Sequence, residues 1–450
     1  MKRPSMPLKD GDRVAIVGGG PAGSLFAHFA RQLALQKGLA LDITIFDGKD
    51  FHKTGPPGCN MCAGVLAASF IKEMADSGIP LPPEVVQRYI QGYSIETPVG
   101  HLDLHPPEGT GPICTIYRGG GPRGSNPSDD ASFDDYLLEH VKAEGTRVVT
   151  RYVQDIVLPP DPDQPARLQL MGQAGAGETH EAELVVGAFG LNTWLTRKTS
   201  QLGFGYRPPE ALASVQAEVW LGADQIKEAW GNHIYVYELG LPGARFVAIT
   251  PKRDFLTVSM IGRDLTEKDI PALFSHPVVR RRLPEGWELP SSFCHCRPHV
   301  ADSPCRQPYT DRLVVVGDAS TSRLYKNGLE SSFVTARAAA EAAVNHGVSA
   351  DAFREHYYPT CRALARDALY GRLLFFLHDR IFRRPRLTSA FLEAAAADNG
   401  SKGSRQLRRL GWSMLTGDRP YKDVLREMIA VSPYWSLAQA AFVSTKNGPA

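Results

Sequence analysis

Val14-Ala15-Ile16-Val17-Gly18-Gly19-Gly20-Pro21-Ala22-Gly23, then a helix-patterned stretch, then Ile43-Thr44-Ile45-Phe46-Asp47, decides the fold of this chain. The order is strand, glycine turn, helix, strand and terminal acid. Gly18 permits the tight turn, Gly20 lets backbone approach a pyrophosphate, and Gly23 lets helix and sheet pack closely. The helix starting at Pro21 offers unpaired N–H groups and the positive end of its dipole to phosphate. Asp47 follows Gly23 by 24 residues, at the end of the second strand, where a carboxylate binds a pair of ribose hydroxyls. Apolar strands on both sides argue against a plain flexible loop. Gly18, Gly20, Pro21, Ala22, Gly23 and Asp47 are therefore the expected dinucleotide contacts.

Outward from that unit, the composition is that of an ordinary globular protein of two or three domains. The 450 residues are 43% hydrophobic and 22% charged, with a net charge of +2. This balance leaves no basic footprint, so nucleic acid is not an expected partner. No apolar run approaches the roughly 18 residues of a membrane span, and Met1–Asp12 shows no signal-peptide pattern. Seven cysteines in such a chain suit a reducing compartment, and a cytoplasmic location is expected.

Hydrophobic periodicity predicts a first helix from Pro21 to about Lys37, with Leu25, Phe29 and Leu33 on one face. Strands are expected at 113–118, 147–157 and 183–186, and a helix at 133–141. Residues 119–131 read as a long loop. Strand-like segments at 214–221, 233–239, 246–250 and 256–261 suggest an inserted antiparallel sheet. The strand 313–316 runs into Gly317-Asp318-Ala319, a long alanine-rich helix follows from Asn327, and 351–441 read as mostly helical. Glycine-rich Gly172–Gly177 lacks a strand before it and a helix after it, so it reads as a hairpin tip.

Two downstream segments carry a resemblance. Val314-Val315-Val316-Gly317-Asp318-Ala319 resembles the second FAD motif of glutathione-reductase-type flavoproteins, which implies that Asp318 binds the ribityl chain. Arg118, followed by Ser132-Phe133-Asp134-Asp135-Tyr136-Leu137-Leu138, is similar to the geranylgeranyl reductase branch, a relative of p-hydroxybenzoate-hydroxylase-type enzymes. There the arginine lies against FAD, which implies the same for Arg118. The likeness covers about residues 12–345. It implies an α/β chain with a glutathione-reductase-type, Rossmann-like FAD-binding domain (1–205 and 296–350). An inserted antiparallel β-sheet substrate domain (206–295), to which part of 65–112 is assignable, and a helical C-terminal region (351–450) complete it.

The chain departs from the pattern twice. Gly187-Ala188-Phe189-Gly190 stands where the aromatic hydroxylases carry an Asp-Gly pair, and Phe189 removes that carboxylate. The loop after Arg118 is also longer, so Arg123 is an alternative flavin contact.

Val153, in the strand-like stretch 147–157, is counted among the expected cofactor contacts. Tyr325-Lys326-Asn327-Gly328-Leu329 opens the long helix. The resemblance turns this segment toward the flavin, with Asn327, Gly328 and Leu329 as contacts and Lys326 as a charge near flavin or substrate. Cys59 and Cys62 form a CxxC, and Cys294 and Cys296 a CxC. The resemblance brings both neighbourhoods to the flavin, and Cys59, Cys62 and Lys326 are the candidate catalytic residues. Three readings of the cysteines stay open: a four-thiolate metal site, a redox dithiol, or small buried residues, with no metal ligand assigned. Glu330 and Asp302 are weaker acid/base candidates. Apolar Leu373-Leu374-Phe375-Phe376-Leu377 beside Arg380, Arg383 and Arg384 reads first as a packing helix, with peripheral membrane contact as the other reading.

The resemblance implies FAD as cofactor and reduction of carbon–carbon double bonds in a hydrophobic small-molecule or lipid substrate, prenyl in its narrowest form. The chemistry is hydride transfer with protonation of the other carbon by an acid. NAD(P)H or a redox protein is the expected electron donor. A flavin monooxygenase, an electron-transfer flavoprotein with a four-cysteine cluster and a non-catalytic flavin-binding protein are the alternatives.

Overall fold

The computed structural model describes residues 6–59, 62–125, 131–161, 163–172, 178–191, 193–324, 328–396 and 402–429. The chain divides into two compact units. One holds 1–60, 117–211 and 299–366, and the other 61–116, 212–298 and 367–450.

The first unit is built on a parallel sheet with strand order Leu313–Val315, Leu184–Gly187, Arg13–Val17, Asp42–Phe46, Arg147–Val149, edged by antiparallel Tyr309–Thr310. Continuous Val/Ile/Leu runs suit strands covered on both faces, and Val14 to Val17 are all buried. One face carries Pro21–Gln36 packed on Gly328–His346. The second helix buries Ala336, Ala339, Ala340 and Ala343, and small side chains let two helix axes approach closely. The helix Phe133–Ala143 packs on the first and is capped by Ser132 Oγ, which accepts from the Asp135 N–H. On the other face, an antiparallel meander of Val153–Val157, Ala166–Leu170 and Glu178–Ala182 closes a core with Ala15, Val17 and Phe46. The glycine-rich segment after Leu170 thus joins paired antiparallel strands, although residues 173–177 lie outside the described set.

The expected single strand 147–157 is two strands in two sheets. Between them the Arg151 N–H bonds Val149 O and the chain swings away. The ring of Tyr152 lies where a side chain on residue 48 would be, so Gly48 is what allows that turn.

The second unit has a long sheet ordered Cys294–Cys296, Ala211–Trp220, Phe255–Gly262, Ala244–Pro251, His233–Tyr237, Gly92–Thr97, Gly100–Leu104. It is antiparallel except where Gly92–Thr97 runs parallel to His233–Tyr237. These two strands are joined by no hairpin, so nothing in the local chain forces reversal. The strands between 86 and 104 have no counterpart in the sequence reading. Short helices at 223–229 and 269–280 seal one face over Val215, Val219, Leu256 and Val258. Helices Pro385–Ala396 and Lys402–Thr416 cover part of the other, burying Leu392, Ala395 and Trp412 against Tyr93, Ile95 and Leu104. The described residues of these two helices therefore pack on this sheet.

In the helix Tyr358–Phe382, Leu374 is buried while Leu369, Leu373 and Phe376 are exposed, and Arg380 lies over the Phe376 ring. Among the described residues no helix is long and apolar enough to cross a membrane.

Candidate functional site: a glycine cradle with buried charges

The turn after the first strand is shaped by what cannot fit beside it. Gly18 adopts φ +111°, and a Cβ there would run into the Ala188 carbonyl oxygen. A Cβ on Gly23 would strike the carbonyl oxygen of Gly18. Gly20 caps the helix in extended conformation, with Pro21 at its first position and Ala22 and Gly23 buried behind. No acidic side chain occupies the first turn, so the N–H groups there point to an anion's place with no competing carboxylate from that turn.

Asp47 is drawn against this turn. Its Oδ2 accepts the Gly19 N–H at 2.7 Å and its Oδ1 the Lys49 N–H at 2.9 Å. Burial raises the Asp47 pKa, while the two N–H donors oppose the rise. Each oxygen keeps acceptor capacity for a further hydroxyl. Lys49 is held below its ordinary pKa by burial, and its Nζ donates to Cys59 O at 2.7 Å.

The distant Gly-Asp motif arrives at the same helix. Gly317 has φ +66°, and a Cβ on it would lie 2.8 Å from Ala22 Cβ. Asp318 sits at the start of the helix Gly328–His346, where a Cβ on Gly328 would lie 3.2 Å from Oδ1. Burial raises the Asp318 pKa, opposed by the Arg118 charge and a bond from Ser322. Arg118 in turn makes a two-point pair with buried Asp134, Nε to Oδ1 and Nη2 to Oδ2, both at 2.9 Å. The Tyr117–Ser132 bridge closes the base of the long loop and brings Arg118 and Asp134 face to face.

The stem of Arg123 packs over Gly55. The two glycine-rich loops lie backbone to backbone. Side chains on Gly119 or Gly120 would meet the carbonyls of Gly58 and His52, and the Gly55 N–H bonds Gly121 O at 2.8 Å. Val153 turns its side chain into the core, and Phe189 folds over Gly187 into the same core. Leu329 is buried, and Glu330 pairs with Arg323. Lys326 and Asn327 lie outside the described residues.

Three residues that sequence reasoning passed over hold the Gly-Asp turn. Tyr206 OH donates to Ala319 O at 2.7 Å, Tyr357 OH to Val315 O at 2.6 Å, and Thr335 Oγ1 accepts the Gly317 N–H at 3.0 Å. No local pattern marks them, because their partners are backbone atoms distant in sequence.

The second unit contributes a polar sheet face. Cys294 and Cys296 alternate on one side of their strand, opposite Glu218 and Gln216. Lys252, 1% exposed, donates Nζ to Glu218 Oε1 at 3.2 Å, and Thr257 donates to Oε2 at 2.7 Å. Ser259 donates to Gln216 at 2.6 Å. A Cβ on Gly64 would sit 3.5 Å from Lys252 Nζ, and the Gly64 N–H bonds Cys62 Sγ at 3.3 Å. Among the described residues, the group of three or more metal-ligating side chains that comes together contains no cysteine.

No protein-family model matches the chain, and no curated protein matches it in sequence. Solved structures match over nearly the whole length. A geranylgeranyl bacteriochlorophyll reductase-like protein of Thermoplasma acidophilum aligns over 94% of this chain and 99% of its own, at 14% identity and TM-score 0.64. The p-nitrophenol 4-monooxygenase PnpA of Pseudomonas putida aligns over 96% and 99%, at 13% identity and TM-score 0.58. A variant of the halogenase PltM in complex with FAD aligns over 97% and 92%, at 14% identity and TM-score 0.59. The chain shares its fold with these flavin-enzyme structures, and the expected α/β architecture is the one observed. At such identities the likeness is one of fold, since one fold hosts many chemistries.

Proposed function

We propose that the chain is an FAD-dependent oxidoreductase that reduces carbon–carbon double bonds of a hydrophobic, prenyl-class substrate. The observation that carries FAD is the meeting, within one unit, of the Gly18–Gly23 turn, Asp47 and the Gly317-Asp318 turn against one helix N-terminus. Glycines whose Cβ positions are filled by backbone fix the tight turn and the close helix packing that a pyrophosphate-binding turn requires. In this reading the N–H groups after Gly20 hold the phosphates, Asp47 takes ribose hydroxyls and Asp318 takes the ribityl chain. Arg118, anchored by Asp134, balances charge beside Asp318. Bound FAD would supply reversible hydride exchange, which no side chain of the chain provides.

Support for reduction over hydroxylation comes from Phe189, which stands in the sequence where the resembled aromatic hydroxylases carry a carboxylate and whose side chain lies in the core. It is also supported by the reductase-like neighbour. The monooxygenase and halogenase neighbours favour a second reading, oxygen-dependent modification of an aromatic substrate. In both readings the polar face bearing Lys252, Glu218, Thr257, Cys294 and Cys296, with Cys62 near it, belongs to substrate handling. Cys59, Cys62 and Lys326 remain the candidate catalytic groups. The exposed stripe Leu369, Leu373 and Phe376 amid arginines supports peripheral contact with a lipid surface that delivers the substrate. NAD(P)H or a small redox protein is the proposed donor.

The deciding experiment reduces the bound flavin anaerobically and adds a polyprenyl substrate. Re-oxidation with a product heavier by one hydrogen molecule per bond supports the reductase reading. Turnover only with oxygen, giving a hydroxylated or halogenated aromatic product, replaces it with the second.

A further inference from the structure

Away from the glycine cradle, the first unit holds a second constellation of side chains that the proposed reaction does not use. His28 lies on the helix Pro21–Gln36 and is 3% exposed, while His140 and Glu144 stand one turn apart at the end of the helix Phe133–Ala143. One donor atom from each residue falls within 4.8 Å of the other two. His28 Nδ1 is 2.9 Å and 3.0 Å from the two Glu144 oxygens, and His140 Nε2 is 3.6 Å from Glu144 Oε1. Gln32, one helical turn beyond His28, donates Nε2 to the same Oε1 at 3.0 Å and so fixes the carboxylate.

These separations can be set against those of a coordinated ion. Nitrogen and oxygen ligands at about 2.0–2.2 Å from a tetrahedral zinc lie roughly 3.3–3.6 Å apart. The two imidazole–carboxylate distances are already close to this. The two histidines need close by no more than about 1.5 Å, within the reach of side-chain rotation. The second observation is the buried Nε2 of His140, which has no hydrogen-bond partner among the described residues. A plain ion pair would leave that nitrogen poorly satisfied, and a bound cation would satisfy it.

We propose that His28, His140 and Glu144 form a three-ligand site for a divalent transition-metal ion, zinc foremost, that fastens the helix Pro21–Gln36 to the helix Phe133–Ala143. Two imidazoles and a carboxylate are a borderline nitrogen and oxygen set, suited to zinc rather than magnesium or calcium. The side chains of His140 and Glu144 are 23% and 18% exposed, which gives an ion a way in and leaves a fourth position for water. The site bears on the helix whose other end forms the cradle, yet its metal binding stands apart from the reading of the function.

The test is equilibrium dialysis of the full-length, chelator-treated holoprotein against Zn²⁺, with Co²⁺ difference spectra as the report on ligands. One equivalent of zinc is expected, with cobalt bands of a tetrahedral nitrogen and oxygen site and no thiolate charge-transfer band. His140→Ala is expected to weaken binding by about a hundredfold, and Glu144→Gln similarly. His140 is partly exposed, so the first variant should fold, and circular dichroism confirms that it has. No bound zinc in the wild type overturns the proposal. So does binding unchanged in a folded His140→Ala variant, or a cobalt spectrum dominated by thiolate, which would assign the ion to the cysteines.

Discussion

The glycine cradle of the first unit and the polar sheet face of the second are made of opposite materials. The cradle is mostly backbone: N–H groups of Gly19 and Lys49, turns at Gly18 and Gly317, and space kept clear by absent side chains. The sheet face is mostly side chain: Lys252, Glu218, Thr257, Gln216 and Ser259 satisfy one another across neighbouring strands. A backbone site tolerates no added atoms but asks little of side-chain chemistry. A side-chain site tolerates volume changes and fails when one charge loses its partner. The two units should therefore break in different ways.

The largest effect is expected at Gly23→Ala. Its new methyl would meet a carbonyl oxygen of the same turn, which cannot rotate away. Flavin content should fall to none, with a stability loss of about 3 kcal/mol, at the upper end for overpacking, read from absorbance and denaturant melts. Lys252→Met should cost somewhat less, about 2 kcal/mol for a half-buried carboxylate left without its charge partner, while leaving flavin content unchanged. The double variant Lys252→Met/Glu218→Gln should recover most of that loss. If Lys252→Met instead empties the cofactor, the contrast between the two units fails.

Smaller effects sharpen the comparison. Tyr206→Phe removes one hydroxyl from Ala319 O and should cost about 1 kcal/mol, with a flavin absorbance shift but no loss of flavin. The smallest is the pH response at Glu183. Burial opposes its ionisation, but the bonds from Arg13 outweigh burial and hold its pKa below the ordinary 4.5. Its contribution is therefore present above that value and lost as pH falls through the folded pKa. Glu183→Gln should flatten the acid limb of the stability curve by roughly 0.5–1 kcal/mol, and show no effect at high salt.

Legibility in the sequence follows the same division. Gly18 and Gly23 were readable because backbone turns impose a residue type at a fixed spacing, and Gly317 through the resemblance of its motif. Asp47 was readable because it closes a strand that feeds such a turn, and Asp318, like Gly317, through the resemblance of its motif. Arg118 was readable with Arg123 as its rival, while the buried Asp134 that pairs with Arg118 carried no mark of that pairing. The strand break at Thr150–Tyr152 was hidden, since it depends on Gly48 giving way to a distant ring. The strands between 86 and 104 were hidden as well: Gly92–Thr97 is buried along its whole length and so shows no alternation, and its partner His233–Tyr237 is more than a hundred residues away. Lys252 with Glu218, and His28 with Glu144, carry no spacing rule at all. Contacts set by topology leave no local trace.

The central claim is tested most directly by the flavin content of the purified chain, before and after incubation with FAD, in wild type and Gly23→Ala. The account predicts close to one FAD per wild-type chain, with visible bands that bleach fully on anaerobic reduction, and none in a folded Gly23→Ala variant. A wild-type chain that neither retains nor takes up FAD would contradict the claim, and a Gly23→Ala chain that binds it as well as wild type would contradict the cradle.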